Sequence, residues 1–457
     1  MKQLLFSLHA DSPKYIQIYE RMRGLIEQGK LVKGEKLPSI RALAEQLYVS
    51  RNTTLQAYEL LMAEGYIYSA EKKGYFVHLM DPIHLNEIQP GLPITHESKT
   101  DAIDFRLGAI NQANFPLKTW RKISNAVLKQ ESSYTYGEPF GEVKFKHEIA
   151  NYLFQARGVV ADPQQIIIGS NTQQLLLHIS FILKQFSHSI ALENPGYLGA
   201  REVFELQNFE VEPINVNEDG LDLSCLEQLK SSLLYITPSH QYPFGIALPI
   251  QQRVKLVDWA DNCNGFILED DYDGEFRYGQ KTFPALASLN RSRIIYLGTF
   301  SKAFLPGVRL AYMVLPESLL LLYRERFKNF EHNASLLHQL AMTQFMQCGE
   351  WERHIRRMRK VYRRKMELLK EQVELKLKNT CEIIGTNAGL YVALKLNTHF
   401  SEEQLIMKAK QQNVIVYPVN ELFIDKQSSS QYILLGFANL SDEQIIQGVE
   451  GLQNAWG

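Results

Sequence analysis

The chain has 457 residues, too long for one ordinary domain, and predicts about three globular units. Its 45% hydrophobic and 22% charged residues fit a soluble globular protein and exclude a disordered or fibrous one. The most apolar runs, Ser318–Tyr323 and Ile166–Gly169, are too short to span a bilayer, and no basic-then-apolar leader opens the chain, so no membrane partner and a cytoplasmic, nucleoid-associated location are expected. Cys225, Cys263, Cys348 and Cys381 are scattered without metal-ligand spacing, which predicts reduced, mostly buried thiols and no metal site.

Net charge is −1, unevenly distributed. Residues 1–80 hold eleven Lys and Arg against eight Asp and Glu, a balance of +3, leaving −4 over the remainder. The excess at the start mildly favours a polyanionic partner there. Tyr15, Ile18, Met22, Leu25 and Ile26 recur at helical spacing and predict a first helix. Pro38 and Ser39 break and cap the chain before a second helix, Ile40–Leu47, and Tyr48-Val49 turn into a third, capped by Ser50 and running to about Glu64. Leu55, Ala57, Leu60 and Leu61 are its inward residues. Two short helices about a tight turn are the helix-turn-helix arrangement, in which the second helix meets base edges through its first turns, here Ser50, Arg51, Asn52, Thr53 and Thr54. Tyr66–Ser69 and Gly74–His78 then alternate around Glu71-Lys72-Lys73-Gly74, which fits a two-stranded wing with a basic tip near phosphates. Any one of these elements alone also fits a small helical interaction domain; the full series in order within about 65 residues favours double-stranded DNA.

Residues 81–102 carry three prolines and no sustained periodicity and read as a linker. From Ile103 onward apolar runs alternate with amphipathic stretches, the α/β pattern of a parallel sheet covered by helices. Strands are expected at Gln165–Gly169, Ser189–Glu193, Leu233–Thr237, Gly265–Glu269, Arg293–Gly298 and Arg309–Leu315. A basic helical stretch near Trp351–Lys370 precedes apolar runs at Gly389–Leu396, Val414–Tyr417 and Tyr432–Phe437, which predict a smaller α+β part over roughly 345–457.

The loops after these strands carry the chemistry. In Gly298-Thr-Phe-Ser-Lys302-Ala-Phe-Leu-Pro-Gly307-Val-Arg309 a lysine is framed by hydroxyls and followed by an arginine, the set needed for a Schiff base to an aldehyde and a grip on a phosphate. Asp270 ends an apolar strand and Tyr272 follows; a carboxylate beside a pyridine nitrogen keeps it protonated, whereas Asp271, Asp273 and Glu275 also fit a solvated acidic turn. Gly169-Ser170-Asn171-Thr172-Gln173 opens a helix and fits either an anion site or a simple cap. Tyr197 sits on a tight turn able to stack on a planar ring, and Thr237-Pro-Ser-His240-Gln241-Tyr242 is dense in hydrogen-bonding groups.

The run KLPSIRALAEQLYVSRNTTLQAYELLMAEGYIYSAEKKGYFV resembles the winged helix of the GntR superfamily of bacterial regulators; that resemblance implies DNA contacts by Ser39, Arg41, Ser50–Thr54 and Lys72-Lys73-Gly74. The five post-strand loops over residues 103–457 resemble fold-type I pyridoxal-phosphate enzymes of the aminotransferase class, and the two halves together resemble the MocR subfamily of regulators. Pyridoxal 5′-phosphate is the cofactor thereby implied, with Lys302 as its Schiff-base lysine, Asp270 on the pyridinium, Tyr272 near the ring oxygen and Tyr197 stacked on the ring. Ser170, Asn171, Thr299, Ser301 and Arg309 would surround the phosphate. The family also implies a head-to-tail homodimer and an amine or amino-acid effector, or the cofactor itself as signal.

The sequence departs from the pattern at Phe244, where the family commonly has threonine, and at Leu434, where aminotransferases place the arginine that grips a substrate's carboxylate. Either another cation substitutes, Arg201 being the candidate, or the effector is not an ordinary α-amino acid; Tyr242 is the other expected effector contact. A working aminotransferase with an accessory DNA-binding module is the alternative function.

Overall fold

The computed structural model describes residues 6, 8, 12–78, 102–217, 220–279, 284–331, 334–424 and 431–457. Most of the expected linker lies outside them. The chain divides into two compact units, residues 1–98 and 99–457.

The first unit holds helices α1 (Lys14–Glu27), α2 (Ile40–Leu47) and α3 (Arg51–Ala63), followed by strands β1 (Ile67–Ala70) and β2 (Gly74–Val77). The Ser39 and Ser50 hydroxyls cap α2 and α3 by accepting from the Ala42 and Thr53 amides, as expected of serine at a helix start. Tyr48 makes the turn between them in the left-handed region, φ 52°. Ile18, Met22, Leu43, Ala57, Tyr58 and Leu61 are buried together, and Tyr58 donates its hydroxyl to the Pro38 carbonyl at 2.9 Å, fixing α3 against the start of α2. Leu60 does not pack inward as expected; it faces solvent. β1 and β2 pair antiparallel, Ile67 opposite Val77 and Ala70 opposite Gly74, which leaves Lys72 and Lys73 at the exposed tip.

The second unit opens with β3 (Ile103–Asp104) and builds its large sheet from β4 (Ile166–Gly169), β5 (Ser189–Asn194), β6 (Glu210–Asn217), β7 (Gly220–Leu221), β8 (Leu233–Ile236), β9 (Phe266–Asp270), β10 (Ile294–Thr299) and β11 (Ala311–Val314). Their order is β4-β11-β10-β9-β8-β5-β6-β7. β6, β5, β8, β9 and β10 run parallel, and β11 is antiparallel to both its neighbours, so β4 ends at the same edge as the parallel strands. The six expected strands are present within two residues of their predicted limits; β6 and β7 had no prediction. Nearly continuous burial along β4, β5, β8, β9 and β10 reflects apolar cores on both faces, the reason these segments read as short hydrophobic runs.

A second sheet of four strands follows the long helix Glu350–Lys376. Its members are β12 (Cys381–Ile384), β13 (Tyr391–Leu396), β15 (Tyr417–Pro418) and β16 (Tyr432–Gly436), in the antiparallel order β12-β13-β16-β15; β14 (Val414–Ile415) pairs instead with β3. Of the cysteines only Cys381 is buried; Cys263 and Cys348 are exposed, against expectation. Among the described residues no helix is long and apolar enough to cross a membrane.

Candidate functional site

Strand register brings the chemical loops to one edge. Thr299 of β10 pairs with Ala311 of β11, which pairs with Gly169 of β4, while Asp270 of β9 lies beside Leu297. The segments just beyond these positions therefore converge where ligand crevices form in open α/β sheets. They line a cavity of about 350 Å³ with Asn171, Tyr197, Asp270, Tyr272, Lys302 and Arg309 on its wall, together with Thr299, Ser301 and Tyr242.

Lys302 sits in a single helical turn, Phe300–Ala303, capped by the Thr299 hydroxyl, which accepts from the Ser301 amide at 3.1 Å. Burial lowers its ammonium pKa below the ordinary value, outweighing Asp273 and Asp270, which pull the other way. Its Nζ lies against Gly108 (φ 74°), where a Cβ would stand 2.1 Å from it. A Cβ there would push the amine aside, and the positive φ itself favours glycine.

Asp270 is 4% exposed. Its Oδ2 accepts from the Tyr235 hydroxyl at 2.7 Å, and its Oδ1 has no hydrogen-bond partner among the described residues. Burial pushes the carboxyl up to about 7, against the Tyr235 hydrogen bond that lowers it. An orphaned buried carboxylate oxygen costs free energy unless a donor or cation meets it. Across the cavity the Tyr272 hydroxyl lies 2.9 Å from the His240 carbonyl, 3.0 Å from His240 Nδ1 and 3.0 Å from the Tyr391 hydroxyl, and His240 Nδ1 is also 2.9 Å from Asp273 Oδ2. Tyr197 meets Tyr242 edge-on, ring centroids 6.3 Å apart.

Three expectations need correction here. Ser170 does not line the cavity; its hydroxyl donates to Gln174 Oε1 and accepts from Asn171, while Thr172 and Gln173 at the start of helix Thr172–Leu183 take the wall position. Arg201 is not a cation of this cavity, because its guanidinium donates to the main-chain carbonyls of Phe423 and Glu421, each at 2.8 Å. The acidic stretch after β9 is not solvated: Asp271 and Asp273 are buried and Glu275 is half-buried. Asp271 accepts from Arg157 at 2.5 Å and from Tyr296 at 2.6 Å, so it anchors the loop from beneath. Arg157→Met should remove the hydrogen-bonded cation of that carboxylate, leaving Arg277 and the Tyr296 hydroxyl beside it, and cost about 3 kcal/mol, read as a shift of the urea midpoint; a change under about 1 kcal/mol would refute the anchoring role.

Sequence reasoning missed Tyr235, Asp273, Tyr391 and Gly108. Only Tyr235 carried a signal, as a polar-tipped aromatic inside an otherwise aliphatic strand.

In the first unit Arg51, Asn52, Lys72 and Lys73 are exposed, as are Ser39, Arg41 and Ser50. Arg41 is paired with Glu45 one turn on, and Thr53 shares a 2.8 Å hydrogen bond with Ser50. Thr54 is fully buried and cannot touch a duplex; it belongs to the core. Gly74 (φ 110°) returns the wing from its tip.

Residues 100–452 match the family of aminotransferases of class I and II, and residues 14–77 the gntR family of bacterial regulatory proteins. The chain is 38% identical to the HTH-type transcriptional regulator YdeL of Bacillus subtilis over 98% of its own length and 97% of that protein's. It is 29% identical to the probable rhizopine catabolism regulatory protein MocR of Rhizobium meliloti, over 99% and 96% of the two chains. Among solved structures, α-aminoadipate aminotransferase LysN of Thermus thermophilus, complexed with N-(5′-phosphopyridoxyl)-L-leucine, superposes with a TM-score of 0.70 at 26% identity over 78% of this chain and 92% of that one. Pyridoxal phosphate fits the residues present: the orphaned Asp270 Oδ1 awaits a protonated ring nitrogen, and the amine beside Gly108 is buried and held toward its neutral form. A GntR-type winged helix that binds DNA, joined in one chain to a fold-type I aminotransferase domain that takes pyridoxal phosphate, places this protein in the MocR subfamily of HTH-type transcriptional regulators.

Proposed function

We propose that the aminotransferase-like unit senses a small amine, an amino-acid-type effector or pyridoxal phosphate itself, and reports it to an operator held by paired winged helices in a head-to-tail homodimer in the cytoplasm. The carrying observation is the meeting of Lys302 and an Asp270 carboxyl whose Oδ1 has no partner among the described residues in one cavity of a chain whose other unit is a DNA-reading head. Lys302 offers the nucleophilic amine; Asp270 would hold the proton on the ring nitrogen of the cofactor, Tyr272 would serve its ring oxygen and Tyr197 would stack on its ring. Asn171, Thr172, Thr299, Ser301 and Arg309 hold the phosphate, Arg309 as its cation. When bound, the cofactor supplies an aldehyde for amines and a ring that withdraws electrons. Tyr242, on the cavity wall, is the proposed effector contact.

The alternative, an aminotransferase with an accessory DNA-binding module, is favoured by Lys302, Asp270 and Tyr272. Leu434 opposes it. That side chain is fully buried between Ala393 and Tyr417, and Arg201 is committed elsewhere, so neither supplies a fork for a carboxylate. Operator binding by apo-protein, loaded protein and loaded protein with each amine decides between the readings. A switch by cofactor alone makes it the signal; turnover of about one per second or faster with no change in DNA binding would overturn regulation by effector.

For the head, Arg51→Ala should weaken operator binding by about 1–3 kcal/mol, and Lys72→Ala should reduce the slope of log affinity against log salt by about 1. Wild-type binding by both variants would displace the readout surface from α3 and the wing.

A further inference from the structure

The long helix Glu350–Lys376 changes character along its length. Beyond Met366 its exposed face mixes signs: Lys370 pairs with Glu374, and Lys376 with Glu450. Between residues 353 and 364 it carries seven Arg and Lys and no carboxylate. The apolar side of this segment is spent, since Ile355, Met358 and Tyr362 are buried in the core. Lys365 is buried as well, donating to the Ala438 and Leu440 carbonyls.

The exposed cations divide into two groups. Arg353 and Arg364 meet Glu350 and Asp442, while Arg357 and Arg359 donate to the Asn114 and Glu275 carbonyls and keep their charge. Arg356, Lys360 and Arg363 make no hydrogen bond or ion pair among the described residues; spaced i, i+4, i+7, they share one helix face and line one open surface cleft. Like charges at i,i+4 cost a helix a few tenths of a kcal/mol each, so a merely solvated face gains nothing by accumulating them.

We infer that Arg356, Lys360 and Arg363 form a second DNA-contacting surface on the aminotransferase-like unit, one that grips the phosphates of duplex flanking the operator. The inference rests on duplex binding by the winged helix, which brings DNA to the chain and makes a second contact intramolecular. From Arg356 to Arg363 the helix rises about 10 Å, a length over which one strand of duplex presents about three phosphates. A membrane surface would need an apolar face beside the cations, and this helix has buried its own. An acidic protein would need an aromatic or aliphatic anchor at the patch centre, where only the half-buried Val361 stands among the cations.

The test uses full-length, cofactor-loaded protein and a site selected by the wild type from a random duplex pool. Wild type and the triple variant Arg356→Gln, Lys360→Gln, Arg363→Gln are titrated at several salt concentrations on two fragments, one ending at the half-sites and one longer by about two helical turns on each side. On the longer fragment the variant should bind at least ten-fold more weakly at low salt, with a salt slope reduced by about 2–3, since each phosphate no longer neutralised lowers it by about 0.9. On the shorter fragment it should match wild type, and its visible cofactor band should be unchanged. A Lys72→Ala, Lys73→Ala protein should instead weaken on both fragments, which separates failure of the patch from failure of the head. Equal slopes for wild type and triple variant on the longer fragment would overturn the inference. Retention on polyglutamate by wild type but not by the variant, with those equal slopes, would assign the patch to an acidic protein instead.

Discussion

Lys302→Ala protein loaded with pyridoxal phosphate and then desalted is expected to lack the visible absorption band of an imine, whereas the wild-type chain gains one that borohydride bleaches while fixing the cofactor to this side chain. The expectation rests on two properties of the site. Burial lowers the amine's pKa, so a larger share of it is the neutral nucleophile near pH 7. Gly108, lacking a Cβ, leaves Nζ accessible from the cavity. The variant should not be a folding casualty. Because the fold disfavours the ammonium, deleting it removes a cost, and the apo-variant should match or exceed wild-type apo-protein in its urea midpoint at pH 7. A band of wild-type intensity in a folded variant would remove Lys302 from the site and with it the reading of the larger unit.

The parts of this site that were legible in the sequence share a cause. A strand buried on both faces gives a short apolar run, and the turn after it must be polar, so Asp270, Lys302 and Asn171 stood out at strand ends. β6 stayed hidden because its burial alternates and Pro213 interrupts it. Gly108 gave no signal, since its meaning depends on a lysine almost two hundred residues away. Arg201 misled for a similar reason: the two carbonyls that capture it come from Glu421 and Phe423, distant in sequence, and a free guanidinium is all that local reading can see. Thr54 was misplaced because a hydroxyl near a helix start reads as surface, while the helical period puts that position on the buried side of α3 with Ala57, Tyr58 and Leu61. Asp271 and Asp273 looked like a solvated turn because clustered carboxylates usually are one; Arg157, at the end of helix Val143–Arg157, and His240, in the loop after β8, hold them from elsewhere in the sequence.

The Asp270 carboxyl should add a pH-dependent component to the stability conferred by cofactor, and Asp270→Asn should abolish that component. In apo-protein burial raises the carboxyl from its ordinary 3.8 to about 7. A carboxyl raised in the folded state binds its proton more tightly there than in the unfolded chain. Its contribution is therefore full below pH 3.8 and is lost as pH rises toward 7, a fall of about 4 kcal/mol at most. Asparagine has no such loss. A protonated ring nitrogen beside Oδ1 stabilises the ionised carboxylate and cancels the fall. The gain in urea midpoint on adding pyridoxal phosphate should accordingly grow between about pH 4 and pH 7 in wild type, while in Asp270→Asn it should be smaller and lack this component. Taking the difference between the two proteins removes the titration of the cofactor's own phosphate, which is common to both. Parallel curves would mean that Asp270 does not face a cation in the loaded protein, and the orphaned oxygen would then need another partner.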